Sequence, residues 1–255
     1  MQNKRITQIY SAFGWHLKDN LKKKYGLSEV RRPTEPILAF GVYGSQIEKV
    51  VKWAEKTHVR IWYSGSDITY CFRGREHLIE VVRNHPNISH IATVNFIERD
   101  LQKLGFKYKK VPLFSQFIDD FKPCKLGSKI YAYKSHLYVG RPQMKKLVEI
   151  FGADEFIKAE SHHTFTQAGI KEVYGNSFLG LRLLVHDGLS HGVCEMGLMG
   201  RKVIYNGDTP NAIPFKNFDD VIQKIQQVKD EKYDPFEVAE KMRKYLDVGD
   251  EWLMV

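Results

Sequence analysis

At 255 residues the chain has room for one large or two small domains, and 43% hydrophobic against 27% charged residues excludes wholesale disorder. No apolar run approaches the roughly 18–20 residues of a membrane span, no signal-peptide core is visible at the N-terminus, and Cys71, Cys124 and Cys194 fit a reducing cytosol rather than a disulfide framework or a CxxC metal site. The excess of 39 Lys+Arg over 30 Asp+Glu, net +9 with pI ≈ 9.3, is either a solubilising charge or the mark of an anionic partner: nucleic acid, an anionic membrane face or a phosphorylated substrate.

In chain order, the spacing of Ile6, Ile9, Phe13, Leu17 and Leu21 predicts one helix over 6–24, with Lys18, Lys22, Lys23 and Lys24 crowding its end. A strand over 36–42 then runs into a Gly44-Ser45 turn and a helix with Ile47, Val50, Val51 and Ala54 inward. Strands over 59–63, 88–94 and 107–111 alternate with helices near 75–84 and 96–104. Pro112 to Gly127 breaks the rhythm and reads as a linker. Beyond it come strands at 130–133, 155–159, 178–185 and 202–205, with helices around Met144–Phe151, 165–174, 190–199, 218–228 and 235–246. No internal repeat is visible. The expected fold class is therefore α/β, two Rossmann-like βα halves. The boundary is placed at 1–116 and 117–255, the last helix a candidate to return to the first half. Ligands in such folds sit beyond the carboxyl ends of the strands, and in a two-half version they sit in the cleft that the halves face.

The informative segment is Gly180-Leu181-Arg182-Leu183-Leu184-Val185-His186-Asp187-Gly188-Leu189-Ser190-His191-Gly192-Val193-Cys194-Glu195-Met196-Gly197-Leu198-Met199-Gly200-Arg201-Lys202-Val203-Ile204. A buried strand delivers an acid into a glycine loop, which opens a helix whose free N–H groups suit phosphate. Glu195 follows Asp187 by eight positions, so both acids can face one pocket. The bland reading is an ordinary βαβ unit with Asp187 as a cap.

This segment resembles the E-x7-E stretch of retaining GT-B glycosyltransferases, with Asp187 at the first acid, Gly188 at its glycine, Glu195 at the second acid and Met196 to Ile204 on the trailing pattern. The resemblance implies a nucleoside-diphosphate sugar as donor, UDP- or GDP-linked, with transfer to an acceptor hydroxyl under retention. It implies that Asp187 contacts the sugar, Glu195 binds the ribose hydroxyls and the amides of Gly188, Leu189 and Ser190 meet the diphosphate. The first acid here is Asp, one methylene shorter than the family's Glu.

Tyr138-Val139-Gly140-Arg141-Pro142-Gln143-Met144-Lys145-Lys146 is similar to the family's G-R-x4-K, which would make Arg141 and Lys146 diphosphate ligands. Lys134, after the clearer strand, is their rival, and a solvated basic helix start is the plain reading. Arg182 is either a structural partner of Asp187 or a donor contact. In the first half, Trp62-Tyr63-Ser64-Gly65-Ser66-Asp67 resembles a cleft turn of the family, which would set Gly65 and Ser66 at the donor and Asp67 in a catalytic place, with a helix N-cap as the plain alternative. Asn95 to Gly105 is similar to the family helix that precedes the linker.

The resemblance implies no bound metal and no cofactor beyond the donor. His162, His163, His186 and His191 make no metal-ligand spacing, and no Walker loop, GxGxxG or Gly-x-Ser-x-Gly elbow is present. A small basic enzyme of this kind suits a polyanionic acceptor. Hydroxymethylated DNA bases, as modified by virus-encoded enzymes, stand slightly ahead of a lipid-linked or polysaccharide glycan at a membrane face, for which the Lys18–Lys24 stretch would lie on the surface. The expected location is cytoplasmic, in a host if the chain is viral, or peripheral to a membrane. A nucleotide-sugar epimerase and a non-catalytic nucleic-acid-binding module are the other readings.

Overall fold

The computed structural model describes residues 4–11, 15–133, 141–159, 165–231 and 233–255, with the backbone alone at Trp15, His16, Arg141 and Gln167. Phe13, Lys134, the 138–140 stretch and the His162-His163 pair lie outside the described residues. The chain divides into two units. The first comprises Met1–Phe117 with Asp187–Leu189 and Asp247–Val255, and the second Ile118–His186 with Ser190–Leu246.

The first unit starts with strand β1 (Gln8–Ser11), helix α1 (Trp15–Tyr25) and the two-residue strand β2 (Ser28–Glu29). It continues through β3 (Ile37–Phe40), α2 (Gln46–Ala54), β4 (Val59–Trp62), α3 (Asp67–Cys71), α4 (His77–Asn84), β5 (Ile88–Ala92), α5 (Asn95–Lys103) and β6 (Tyr108–Lys110). All pairings are parallel, in the order β2-β1-β3-β4-β5-β6. The single helix expected over 6–24 is thus corrected. Ile6 and Ile9 belong to the approach and body of a strand, and only 15–25 is helical. The strand and the helix both bury into one core, where Ile6, Ile9, Leu21 and Tyr25 meet Leu38, Phe40, Trp62, Trp252 and Leu253, so their apolar spacing imitates one continuous stripe.

The tail after residue 246 is tied to this unit. Lys4 and Val255 exchange backbone hydrogen bonds at 3.1 and 2.9 Å, and Ile6 N donates to Leu253 O at 2.8 Å. Arg60, half-buried, donates to Ser89 Oγ at 2.9 Å and to the carbonyls of Trp252 and Met254. Tyr25 meets Trp252 edge to face at 5.1 Å.

The second unit holds β7 (Lys129–Tyr133), α6 (Arg141–Phe151), β8 (Phe156–Ala159), α7 (Gln167–Gly175), β9 (Ser177–Leu181), α8 (His191–Leu198), β10 (Lys202–Ile204), β11 (Ala212–Ile213), α9 (Phe218–Asp230) and α10 (Pro235–Leu246). Its sheet is also parallel, ordered β11-β10-β9-β7-β8. The expected strand over 178–185 ends at Leu181, and Val185 is 91% exposed. The stretch Pro112–Gly127, read as a linker, is well packed. Leu113, Phe114, Ser115 and Phe121 are buried, and a Cβ on Gly127 would sit 2.0 Å from the Asn176 carbonyl carbon.

Helix α8 closes on a left-handed glycine. Gly200 has φ +89, its N–H donates to Gly197 O at 2.9 Å and the next N–H, of Arg201, donates to Met196 O at 2.7 Å. A Cβ at Gly200 would lie 2.3 Å from Pro235 O, so the tight turn and the approach of α10 both require glycine. Among the described residues no helix is long and apolar enough to cross a membrane.

Candidate functional site

In the second unit the site is built where β7 and β9 end. Glu195 sits in the second turn of α8, only 7% exposed, and Tyr174 of α7 donates its hydroxyl to Glu195 Oε2 at 3.0 Å. Tyr174 meets Tyr131 edge to face at 5.3 Å, and Tyr131 stacks with Tyr133 at 6.5 Å. The Arg182 guanidinium lies 4.9 Å from the Tyr133 ring centre. Burial pushes both Tyr131 and Tyr174 well above the usual phenol range, and the charge of Glu195 adds to this while Arg182 opposes it. Both phenols are therefore hydroxyl donors at neutral pH. A Cβ at Gly192 would lie 3.2 Å from Tyr174 Oη, so glycine lets the hydroxyl pass along α8 to the carboxylate. On the other side, Gly180 of β9 lets Met196 of α8 come close, since a Cβ there would sit 2.6 Å from its Sδ.

Ser190 is the N-cap of α8, but its hydroxyl makes no capping bond to the first turn. Helix first turns carry N–H groups without intrahelical acceptors, and these suit an anion. Lys146 is exposed. Its partners are Asp219, at 3.7 Å, and the Phe218 ring at the start of α9, not a group of the Glu195 cluster. Arg141 opens α6, with its side chain outside the described residues.

In the first unit, Ser64, Gly65, Ser66 and Asp67 form the turn from β4 into α3. Asp67 is 0% exposed, and its carboxylate accepts from Ser64 N (3.0 Å), Gly65 N (2.8 Å), Ile68 N (3.1 Å) and Ser64 Oγ (3.2 Å). Burial pushes its pKa upward, against the pull of those hydrogen bonds. Asp67, expected in a catalytic place, thus has its carboxylate held by its own loop and closed to solvent, an arrangement that shapes the turn. Ser66 Oγ lies 3.5 Å from Tyr43 Oη, and Tyr43 stacks with Tyr70 at 6.5 Å.

The Asp187–Leu189 segment belongs to this first unit. Gly188 N donates to Asp187 Oδ1 at 2.9 Å, Leu189 is buried, and a Cβ on Gly188 would lie 1.7 Å from Ser64 O. That contact is with backbone, so no side chain is tolerated at 188 without moving a loop. Sequence reading missed Tyr174 and Tyr131, since nothing in their local pattern marks them as neighbours of Glu195. Among the described residues no group of three or more His, Cys, Asp or Glu is placed to hold a metal ion.

No family model matches the chain, and no curated protein does. Solved structures do. A glycosyltransferase from Rickettsia africae is similar over 96% of this chain and 95% of its own, with a TM-score of 0.58 at 11% identity. Sucrose-phosphate synthase from Thermosynechococcus elongatus is similar over 91% of this chain and 72% of its own (TM-score 0.53, 11% identity). TarM matches 93% of this chain but 56% of its own length (TM-score 0.53, 13% identity). At these identities the likeness is one of fold: two parallel α/β units of the GT-B class, as the sequence led one to expect.

Proposed function

We propose that the chain is a glycosyltransferase that passes a sugar from a nucleoside-diphosphate donor to an acceptor hydroxyl. The observation that carries this reading is the buried Glu195, oriented by the Tyr174 hydroxyl on the helix that follows the Asp187-Gly188 loop. Burying a carboxylate is costly unless it is hydrogen-bonded, as Glu195 is by Tyr174. A fixed carboxylate at the start of an α/β helix is suited to accept from a pair of vicinal ribose hydroxyls. The first-turn amides of α8 and the Arg182 guanidinium would then face the diphosphate, where charge grows as the glycosyl bond breaks. Asp187 would contact the sugar. Transfer proceeds with retention and without a bound metal in this reading, and Asp67 acts as a positioning residue.

Calorimetry with UDP and GDP tests the assignment. Glu195→Ala removes the ribose acceptor and is expected to weaken binding by about 1–3 kcal/mol, while Tyr174→Phe, which frees the carboxylate without deleting it, costs about 0.5–1.5 kcal/mol. Full affinity in Glu195→Ala would sink the donor site. Proton NMR of the product should show the donor's anomeric configuration preserved, and EDTA should leave turnover intact. An inverted anomer, or activity abolished by chelation, refutes those two points separately.

The acceptor proposed is a polyanion, with hydroxymethylated DNA bases first. Two observations favour it over a glycan at a membrane. Lys18 and Lys22 of α1 are both tied to Glu29, at 2.9 and 3.2 Å, and no large apolar side chain is exposed on the described part of that helix. Labelled UDP- and GDP-sugars offered to hydroxymethylated DNA, plain DNA and a membrane lipid extract should label the first alone. Label in the lipid fraction only would overturn the DNA acceptor and leave sugar transfer standing.

A further inference from the structure

The first sheet reverses its winding between β1 and β3. From β1 the chain moves outward to β2, then returns past β1 to β3 and runs on to β6. At such a reversal the carboxyl ends of the two strands open a crevice, the place where open α/β sheets take ligands. Next to this reversal a crevice lies at the carboxyl ends of β1 and β2, with no lining residue from β3 itself. The end of β1 (Ile9, Tyr10, Ser11), Glu29 and Val30, Lys18 of α1, and Lys49 and Trp53 of α2 line a cavity of about 230 Å³.

Two of its walls are aromatic and stand at right angles: Tyr10 and Trp53 meet edge to face, 4.9 Å between centroids at 88°. Lys49 Nζ sits over both rings, 4.7 and 4.8 Å from their centres. Glu29, the one carboxylate in the lining, is engaged by Lys18 and Lys22. Lys49 has no carboxylate partner among the described residues, nor have the exposed Arg31 and Arg32 that follow Val30. Residues 1–117 carry 20 Lys+Arg against 10 Asp+Glu, whereas residues 118–255 carry 19 against 20. With Asp187, Asp247, Asp250 and Glu251, which also belong to the first unit, that unit holds 20 Lys+Arg against 14 Asp+Glu, so most of the chain's positive excess lies on the unit that holds this crevice.

We infer that the crevice takes one unpaired nucleotide of a nucleic-acid strand, its base displacing Lys49 from the Tyr10–Trp53 corner to stack there and its phosphates meeting the released Lys49 with Arg31 and Arg32. Aromatic faces beside cations that lack acidic partners are what sequence-tolerant single-strand binding uses. A neutral glycan would need free acceptors, and the one carboxylate here is spent on two lysines. A membrane would need exposed apolar side chains beside the cations, and those of the first unit (Tyr70, Val81, Phe117, Met254) lie on other elements. The inference deepens the sugar-transfer reading by giving its acceptor strand a seat. It rests on that reading for its purpose and not for its measurement.

The experiment is fluorescence anisotropy of a labelled oligothymidylate across a salt series, with UDP and GDP calorimetry on the same proteins. Lys49→Gln should weaken oligonucleotide binding and flatten the slope of log K against log[salt] by about 0.7, one single-strand phosphate contact. Trp53→Leu should weaken it about 5- to 150-fold through lost stacking, and if that variant does not fold, Lys49→Gln decides alone. Neither change should move nucleoside-diphosphate affinity. An oligonucleotide that does not bind, or that binds both variants like the parent, overturns the inference even if the donor site is intact. So does binding to anionic phospholipid vesicles that depends on Lys49 when oligonucleotide binding does not. Loss of nucleoside-diphosphate binding in the parent, with Lys49-dependent oligonucleotide binding kept, supports the crevice and removes the transferase reading instead.

Discussion

Arg201→Met is expected to destabilise the protein by about 3–5 kcal/mol, the range for breaking a buried charge network. Arg201 is fully buried and spends its guanidinium on six backbone carbonyls. Nε donates to Tyr174 O (2.8 Å) and Ser177 O (3.1 Å), Nη1 to Cys124 O (2.9 Å) and Met199 O, and Nη2 to Lys125 O (2.6 Å) and Gly175 O (3.0 Å). No carboxylate is paired with it among the described residues, so the charge is balanced by carbonyl dipoles alone. Methionine fills much of the volume but leaves those acceptors unsatisfied, and each buried polar group left without a partner costs about 1–3 kcal/mol before relaxation. Arg201→Lys keeps the charge but brings three donors instead of five, so it should recover less than half of the loss. Urea unfolding followed by circular dichroism checks both variants, and a methionine variant within 1 kcal/mol of the parent would contradict this account. The same residue reaches the site: three of its acceptors frame the end of α7, which carries Tyr174. Any Arg201 variant that folds should bind nucleoside diphosphate more weakly, in step with Tyr174→Phe.

Arg201 also marks where sequence reading stopped. The helix that carries Gly197 and the strand that carries Ile204 were legible, and the glycine cap at Gly200 that joins them is a finding of the structure. The cap sends the next residue inward whatever it is, and an arginine after such a glycine looks like surface. Only the folded chain shows Cys124, Lys125, Tyr174 and Ser177 converging on it, from residues up to 77 positions away.

The long helices and buried strands were legible because their periods are unambiguous, as with Ile47, Val50 and Ala54 on α2 or Pro235–Leu246 at α10. β1 was not, because a four-residue strand beside a helix of the same core cannot be told from a helical stripe by period alone. The two-residue strands β2 and β11 carry no period at all. Around Glu195, the helix that carries it was legible from the local pattern, and its partner Tyr174 was not, since a hydroxyl 21 positions away is brought to it by tertiary packing. The surroundings of Asp67 were hidden for a related reason. Sequence shows an acid in a Ser-Gly-Ser turn, and only the fold shows four donors saturating it.

Acid should weaken the first unit well before its carboxylates titrate, and His90 is the main cause. The ring is 5% exposed in the middle of β5, stacked on Phe106 at 4.5 Å and on Tyr63 at 5.9 Å. Burial holds its pKa down at about 4, against an ordinary 6.5. Tyr63, fully buried, is pushed well above the usual phenol range. It therefore stays protonated, and its hydroxyl shares a hydrogen bond with Nδ1 of the neutral His90 ring at 3.2 Å. Protonating His90 would place a charge between two buried rings. Below pH 6.5 the unfolded chain takes up a proton that the folded chain refuses, so stability is complete above 6.5 and falls as the pH drops toward 4. Held at about 4 instead of 6.5, the ring contributes roughly 3 kcal/mol to stability at neutral pH, most of it lost by pH 4.5. His58, half-buried and also held at about 4 by burial and by Arg60, acts in the same direction with a smaller share, because solvent screens it. The exposed carboxylates of Glu29 and Glu76, lowered by hydrogen bonds from Lys18 and from backbone respectively, lose their contribution only below the ordinary carboxylate pKa of 4.5. Urea midpoints at pH 7.5 and 4.5 separate the two ranges. The parent should lose about 2–3 kcal/mol between them, and His90→Phe, which keeps the stack and cannot titrate, should lose about 2 kcal/mol less. A parent and a variant that fall together over this interval would mean that His90 is protonated in the folded protein, and the neutral Tyr63–His90 bond would have to be abandoned.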